Sequence, residues 1–138
     1  MSSLGEWDPE APVAPSGDEE PAPLHYPTLV VFVEEFLVDL YRRPLGSTSV
    51  AWCAEWWRHP EAITRLEALW RAFEYLRLDP ATGISVWLRD HVDPHMSVLL
   101  SPDGPFKACR VDDDERGRGH SNSLKPLPVI TPPPGLFA

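Results

Sequence analysis

The chain has 138 residues, of which 43% are apolar and 24% charged, the composition of a soluble globular protein. Its formal net charge is −9, and residues 1–25 contain six acids without a single Lys or Arg. Binding to nucleic acid requires a cationic surface, so the charge argues against nucleic acid as a partner. No apolar run approaches the ~20 residues of a transmembrane helix, and the N-terminus lacks the basic and apolar stretches of a secretory signal. We therefore expect no membrane span and a cytoplasmic location.

Changes in composition divide the chain into three parts. Residues 1–25 combine Pro, Ala, Ser and acids without apolar periodicity, which predicts a disordered acidic, Pro-rich tail. Residues 107–138 lose periodicity again and predict a disordered Pro-rich tail of extended geometry. Residues 26–106 lie between them, contain five of the six tryptophans and predict a folded domain.

Apolar side chains in this middle part recur at steps of three and four, which predicts an all-α fold, a small bundle of about four to five helices. The first helix is expected to begin near Leu29 and to be ended by Pro44 and Gly46. Ser47, Thr48 and Ser49 offer N-cap oxygens for a second helix. The later helices are predicted at about 50–58, at 60–77, from Ile84 to Val92, and at 94–100.

The segment around residue 93 carries a candidate metal site. His91 and His95 are four residues apart, a spacing that suits two ligands on one helix face, and Asp90 and Asp93 would add carboxylates. These four residues support the alternative of a metal-dependent hydrolase or nuclease.

Two features of the same segment oppose a metal site. Val92 stands where the metalloprotease signature requires Glu. Pro94 is expected to interrupt the helix between the two imidazoles, with Asp93 as the N-cap of a short fifth helix. The competing interpretation is a polar helix junction, in which Arg89 pairs with an acid and the histidines form local hydrogen bonds.

A candidate binding site lies at the adjacent residues Trp56, Trp57, Arg58 and His59. One tryptophan must face the core, and its neighbour then points away and is partly exposed. An exposed Trp beside Arg and His suits a binding hot spot, and we add Arg89 to this candidate set. The alternative is that both tryptophans belong to the core and its rim, with His59 as an N-cap.

The two cysteines, Cys53 and Cys109, do not form a C-x-x-C pair. We expect Cys53 to be a small buried apolar residue, and the alternative is a Cys–His nucleophile with His59 or His91. The sequence contains no Gly-rich phosphate loop and no G-x-S-x-G elbow. We therefore expect no catalytic residue and no cofactor.

Several stretches of the middle part resemble the domain-of-unknown-function family 4913, whose members are small proteins of actinobacteria, their plasmids and their phages. The resemblance covers about residues 26–106. The stretches that carry it are VEEFL at 33–37, YRRP at 41–44, WCAEWWRHPEA at 52–62, RLEALWRAFE at 65–74, VWLRDH at 86–91, DPHM at 93–96 and DGPF at 103–106.

This resemblance implies no particular activity and no catalytic residues. Because members of the family tend to be encoded on mobile elements, often beside conjugative-transfer genes, it implies an accessory role in a larger assembly. The leading hypothesis is a non-enzymatic interaction module that binds a protein partner through the Trp57 region. Besides the metal-dependent enzyme, a third hypothesis is a nucleic-acid accessory that uses Arg42, Arg43 and Arg58.

Overall fold

Three helices form the framework of the computed structural model, which describes residues 22–45, 49–109 and 125–137. No strand occurs in these ranges, so the predicted all-α class is confirmed, with three helices where four to five were expected. Helix α1 covers residues 29–40 (Leu29–Phe32, a π-helical turn Val33–Leu37, and Val38–Leu40), α2 is Pro60–Leu76, and α3 covers residues 83–99 (Gly83–Trp87, a π-helical turn Leu88–Val92, and Asp93–Leu99).

The ends of α1 follow from local chemistry. Thr28 has extended backbone angles, and its side-chain oxygen accepts the backbone N–H of Val31 at 3.1 Å, so it caps the first turn. Tyr41 departs to φ −106° and ψ 66°, which ends the helix three residues before Pro44.

Helix α2 begins as the sequence predicts, with Pro60 at its first position, where the missing N–H has no helical partner to lose. Its exposed side carries two ion pairs four residues apart, Glu61 with Arg65 and Glu67 with Arg71, each with an N–O distance of 2.9 Å.

The expected break at Pro94 does not exist. Val92 and Asp93 both have helical backbone angles, so Asp93 is not an N-cap and the predicted fourth and fifth helices are one helix. A proline inside an α-helix loses one hydrogen bond and collides with the carbonyl four residues earlier. The π-helical turn Leu88–Val92, in which the Asp93 N–H reaches the Leu88 carbonyl, ends two residues before Pro94 and widens the helix there.

The predicted helix at 50–58 is also wrong, because the structure has only a 3₁₀ turn, Trp56–Arg58. The backbone groups before this turn bond to distant segments and not along a helix. The N–H of Ala51 donates to the Leu100 carbonyl at 2.8 Å, and the Ala54 carbonyl accepts the N–H of Ile130 at 2.9 Å. The proposed cap residues Ser47 and Thr48 lie outside the described residues.

The core is an aromatic cluster shared by the three helices. Trp87 of α3 lies 5.0 Å from Phe73 of α2 and 5.7 Å from Phe36 of α1, measured between ring centroids. Each such ring buries roughly 150–250 Å². Large aromatic side chains therefore supply much of the core of this small bundle.

Tryptophan indoles also join segments that are distant in sequence. Four of the five in the domain donate their N–H to a backbone carbonyl, and the buried Trp56 N–H has no partner among the described residues. The four pairs are Trp52 with Pro128 at 2.6 Å, Trp57 with Ile130 at 2.8 Å, Trp70 with Tyr26 at 2.9 Å and Trp87 with Leu69 at 3.0 Å.

The domain does not end at residue 106. Residues 125–137, called the C-terminal segment below, pack on the helices in extended and turn conformations. Leu127 is only 2% exposed, and its N–H donates to the Val38 carbonyl at 3.1 Å. The prediction of a disordered tail is therefore wrong for this segment, because its extended backbone bonds to the framework without producing any periodic pattern.

The folded domain also begins slightly before residue 26, where the sequence analysis placed its start. Residues 1–21, most of the predicted acidic tail, lie outside the described residues, as do residues 110–124 of the other tail. The N–H of His25 donates to the Glu74 carboxylate at 2.8 Å, so the folded part includes residue 25. Among the described residues, no helix is long and apolar enough to cross a membrane.

Candidate functional site

The two adjacent tryptophans point to different environments. Trp56 is fully buried, and its ring lies 5.9 Å from that of Phe137. Trp57 is half-buried at the surface, where its indole N–H donates to the Ile130 carbonyl. A 3₁₀ turn separates neighbouring side chains by about 120°, which explains why one ring enters the core and the next does not.

Arg58 is exposed beside Trp57, with its guanidinium carbon 5.4 Å from the centroid of the indole, a cation–π distance. It also pairs with Glu55, with an N–O distance of 2.9 Å. Arg89 lies on α3, where its guanidinium binds the neighbouring Asp90, and no described contact joins it to Trp57.

The C-terminal segment, which is bonded to Trp57 through the Ile130 carbonyl, carries three exposed apolar side chains. Ile130 is 51% exposed, Leu136 49% and Phe137 41%, although Leu127 of the same segment is buried. The Ile130 carbonyl accepts the Trp57 indole N–H, the Phe137 ring packs on Trp56, and Leu136 precedes Phe137 in the same turn. We call the set Trp57, Arg58, Ile130, Leu136 and Phe137 the Trp57 face.

The four predicted metal ligands on α3 do not converge. Asp90 is bound by Arg89, and Asp93 accepts the Tyr41 hydroxyl at 3.3 Å. All four are described residues, yet they supply no group of three side chains whose ligand atoms lie close together.

His95 has a cationic neighbour where a metal ion would have to bind. Its Nδ1 lies 3.0 Å from Nη1 of Arg65, and the two side chains line a shallow groove of about 410 Å³ between α2 and α3. Burial, Arg65 and His91 together hold the pKa of His95 below its ordinary value of 6.5. The expected Asp90–His95 metal site therefore finds no support in the geometry.

The structure instead assembles a cluster that sequence reasoning missed, Cys53, His59 and Cys109. Their ligand atoms all lie within 4.8 Å of one another, and all three residues are half-buried. The cluster is the one group of three or more potential metal ligands in the described part of the chain.

Each member of this cluster comes from a different segment. Cys53 precedes the 3₁₀ turn, His59 connects that turn to α2, and Cys109 follows α3 by ten residues. Fully buried Phe106 packs against the imidazole of His59 with centroids 4.9 Å apart and planes at 84°, and Cys109 Sγ lies 3.5 Å from His59 Nε2. The sequence analysis considered Cys53 with His59 but assigned Cys109 to a tail. The six-residue spacing between Cys53 and His59 is also not a recognised metal-binding motif.

The cluster is unsuited to act as a Cys–His nucleophile. Burial, together with hydrogen bonding to Cys53, raises the pKa of the Cys109 thiol to about 11. The thiolate is the nucleophilic form, and a thiol with so high a pKa is protonated at neutral pH.

The arginines proposed for nucleic-acid contact are engaged within the protein. Arg42 pairs with Asp39, and Arg43 lies 3.9 Å from the centroid of the Tyr41 ring. Arg58 is paired with Glu55 as well, so each of these three arginines has an acidic or aromatic side chain beside it.

A small all-α domain closed by its own C-terminal segment is the class of protein that these observations define. The profile of the family described as Domain of unknown function (DUF4913) matches residues 26–132, and the chain belongs to that family. The match extends past residue 106 and into the C-terminal segment, in agreement with its packing. Searches of curated proteins and of solved structures found no match.

Proposed function

We propose that this protein is a non-enzymatic interaction module that binds a protein partner through the Trp57 face. The observation that carries the proposal is that the C-terminal segment, bonded to Trp57 and packed on Trp56, exposes three large apolar side chains. Contiguous apolar surface on a soluble protein marks an interaction site. Trp and Arg are also the residues that most often dominate the binding energy of an interface.

The chemistry of the face favours a protein over other partners. Its centre is aromatic and aliphatic, and its one cation, Arg58, is shared between Glu55 and the Trp57 ring. The whole chain has a net charge of −9, which repels nucleic acid and anionic lipid surfaces. The resemblance of the sequence supports placing the module as an accessory component of an actinobacterial mobile element, in a plasmid, conjugative-transfer or phage context, and in the cytoplasm.

Site-specific photo-cross-linking in host cells tests the location of the interface. A photoreactive amino acid at position 136 should form a discrete cross-link to one partner protein. The same probe at Leu78, which is 51% exposed on the turn after α2, is the matched control and should give none. Equal cross-linking at both positions, or cross-linking at 78 alone, would contradict the assignment of the Trp57 face.

Affinity capture of the full chain tests the energetic role of Trp57. Trp57→Ala should lose the cross-linked partner, while Tyr75→Ala, which removes another exposed aromatic ring, should retain it. Trp57→Phe keeps an aromatic ring but loses the indole N–H that bonds to Ile130. Comparison with Trp57→Ala therefore separates the contact of the ring with the partner from the role of the bond to Ile130. Retention of the partner by Trp57→Ala, in a variant whose circular dichroism matches wild type, would overturn the proposal.

A further inference from the structure

We propose that Cys53, His59 and Cys109 form a zinc site with three protein ligands and a fourth coordination position open to solvent. The proposal is independent of the proposed function, because none of the three residues belongs to the Trp57 face. Two cysteines and one histidine are a donor set that Zn²⁺ prefers, and three protein ligands with an exchangeable fourth ligand are a known zinc arrangement.

The distances agree with a tetrahedral ion. With Zn–S about 2.3 Å and Zn–N about 2.0–2.1 Å, tetrahedral geometry requires about 3.5 Å between sulfur and nitrogen and about 3.8 Å between the two sulfurs. The observed separation of Cys109 Sγ and His59 Nε2 is 3.5 Å, and every pair of ligand atoms lies within 4.8 Å. Small side-chain rotations therefore suffice to bring all three atoms to an ion.

The surroundings match a site that is structured on one side and open on the other. Phe106 is fully buried and packs edge-to-face on the imidazole of His59, so one side of the cluster is apolar and shielded from solvent. The three ligand residues themselves are half-buried, which leaves an approach for the ion and for its fourth ligand. The described neighbour of the His59 imidazole nitrogen is the Cys109 sulfur, whereas that of His95 is the Arg65 guanidinium.

The position of the site in the fold gives it a structural consequence. The loop before the 3₁₀ turn, the start of α2 and the chain after α3 meet there. An ion bound by one residue of each would cross-link these segments, since metal binding stabilises only the folded state. The loop carries Trp52 and the turn begins with Trp56, and both residues contact the C-terminal segment, so the ion would hold the part of the domain that binds this segment.

Spectroscopy with Co²⁺ as the probe tests the site directly. The full chain, purified without a His-tag, is stripped with a chelator, kept reduced and titrated with CoCl₂. We expect one equivalent to bind, with a thiolate-to-cobalt charge-transfer band and the visible bands of tetrahedral Co²⁺. ZnCl₂ should displace the cobalt and raise the thermal unfolding midpoint.

Variants decide which residues bind the ion. Loss of a group that only supports a metal ligand lowers metal affinity by about 10–100-fold. Loss of a ligand itself should cost at least as much, so we expect Cys53→Ser, His59→Ala and Cys109→Ser each to lower the affinity by at least about tenfold. His95→Ala is the control and should bind as wild type does. Circular dichroism of each metal-free variant establishes that helicity is retained, and the two conservative Ser variants serve if His59→Ala does not fold.

Three outcomes would overturn the proposal. The first is the absence of a thiolate-to-cobalt band at stoichiometric metal in the reduced, folded chain. The second is unchanged metal affinity in both Ser variants. The third is a Cys53–Cys109 disulfide in freshly isolated protein, found by mass spectrometry, whose reduction does not restore metal binding.

Discussion

The carboxylate of Glu74 accepts the backbone N–H of Tyr26 at 2.8 Å, a contact between residues 48 positions apart. The same side chain accepts the N–H of His25 at 2.8 Å and pairs with Arg77 at 2.9 Å. Burial alone would raise the pKa of Glu74, but these donors lower it below the ordinary value of 4.5. A single buried acid on α2 thus fixes the point at which the chain enters the domain.

We expect Glu74→Gln to destabilise the protein by about 1–3 kcal/mol at pH 7, because two backbone N–H groups lose their ionised acceptor on a buried side chain. A lowered carboxylate pKa contributes stability above pH 4.5 that is lost as the pH falls through the lower, folded-state pKa. The difference between wild type and variant should therefore shrink below pH 4.5. Urea unfolding between pH 7 and pH 3 measures it.

Glu67→Gln is the matched control for this prediction. Glu67 forms a surface pair with Arg71 on the same helix, so its loss should cost less than about 0.5 kcal/mol. A wild-type advantage over Glu74→Gln that stays constant down to pH 3 would show that the charge of Glu74 does not stabilise the fold.

The packing of the C-terminal segment predicts that Leu127→Ala destabilises the whole domain. Leu127 is 2% exposed, and removal of a buried leucine side chain costs about 2–5 kcal/mol. Leu136→Ala, at a residue 49% exposed, should change stability by less than about 0.5 kcal/mol. Denaturant unfolding followed by tryptophan fluorescence compares the two, and equal, small effects would mean that the segment is detached in solution.

Gly83 is expected to tolerate no side chain. A Cβ atom added there would lie 1.8 Å from the carbonyl oxygen of Leu76, so α3 could not pack against the end of α2 as it does. Gly83→Ala should lose about 3 kcal/mol or more, since overpacking against backbone is poorly relieved. Ser85→Ala, at an exposed position two residues later on the same helix, should be close to neutral, and thermal unfolding of both distinguishes a steric effect from a helix-propensity effect.

The contact between Arg65 and His95 predicts a measurable titration. Arg65→Gln removes a cation 3.0 Å from the imidazole, so the pKa of His95 should rise toward 6.5, while burial and His91 keep it lowered. NMR titration of the His95 ring protons measures this, with Arg71→Gln as the control. His95 is protonated at a higher pH in the unfolded chain than in the folded one. The wild type should therefore lose stability as the pH falls below 6.5.

Most of the features that the sequence predicted correctly depend on residues that are close to one another in the chain. Helix α2 begins at Pro60 and carries its apolar stripe and its two ion pairs as its sequence indicates, since all of these depend on neighbours within one or two turns. The continuity of α3 could not be predicted in this way, because Pro94 favours a break unless a π-helical turn precedes it. Family membership followed from motifs within residues 26–106, and the profile match extends this assignment to residue 132.

The sequence by itself determined the all-α class, the position of the framework helices and the family, because apolar periodicity and short motifs are local properties. The tertiary structure alone decided that Leu127 belongs to the core, that Trp57 meets Ile130, and that Cys109 joins Cys53 and His59. These contacts connect residues separated by 50 positions or more along extended or irregular chain. Such pairs have no period for the sequence to display, and only the packing of the three helices brings them together.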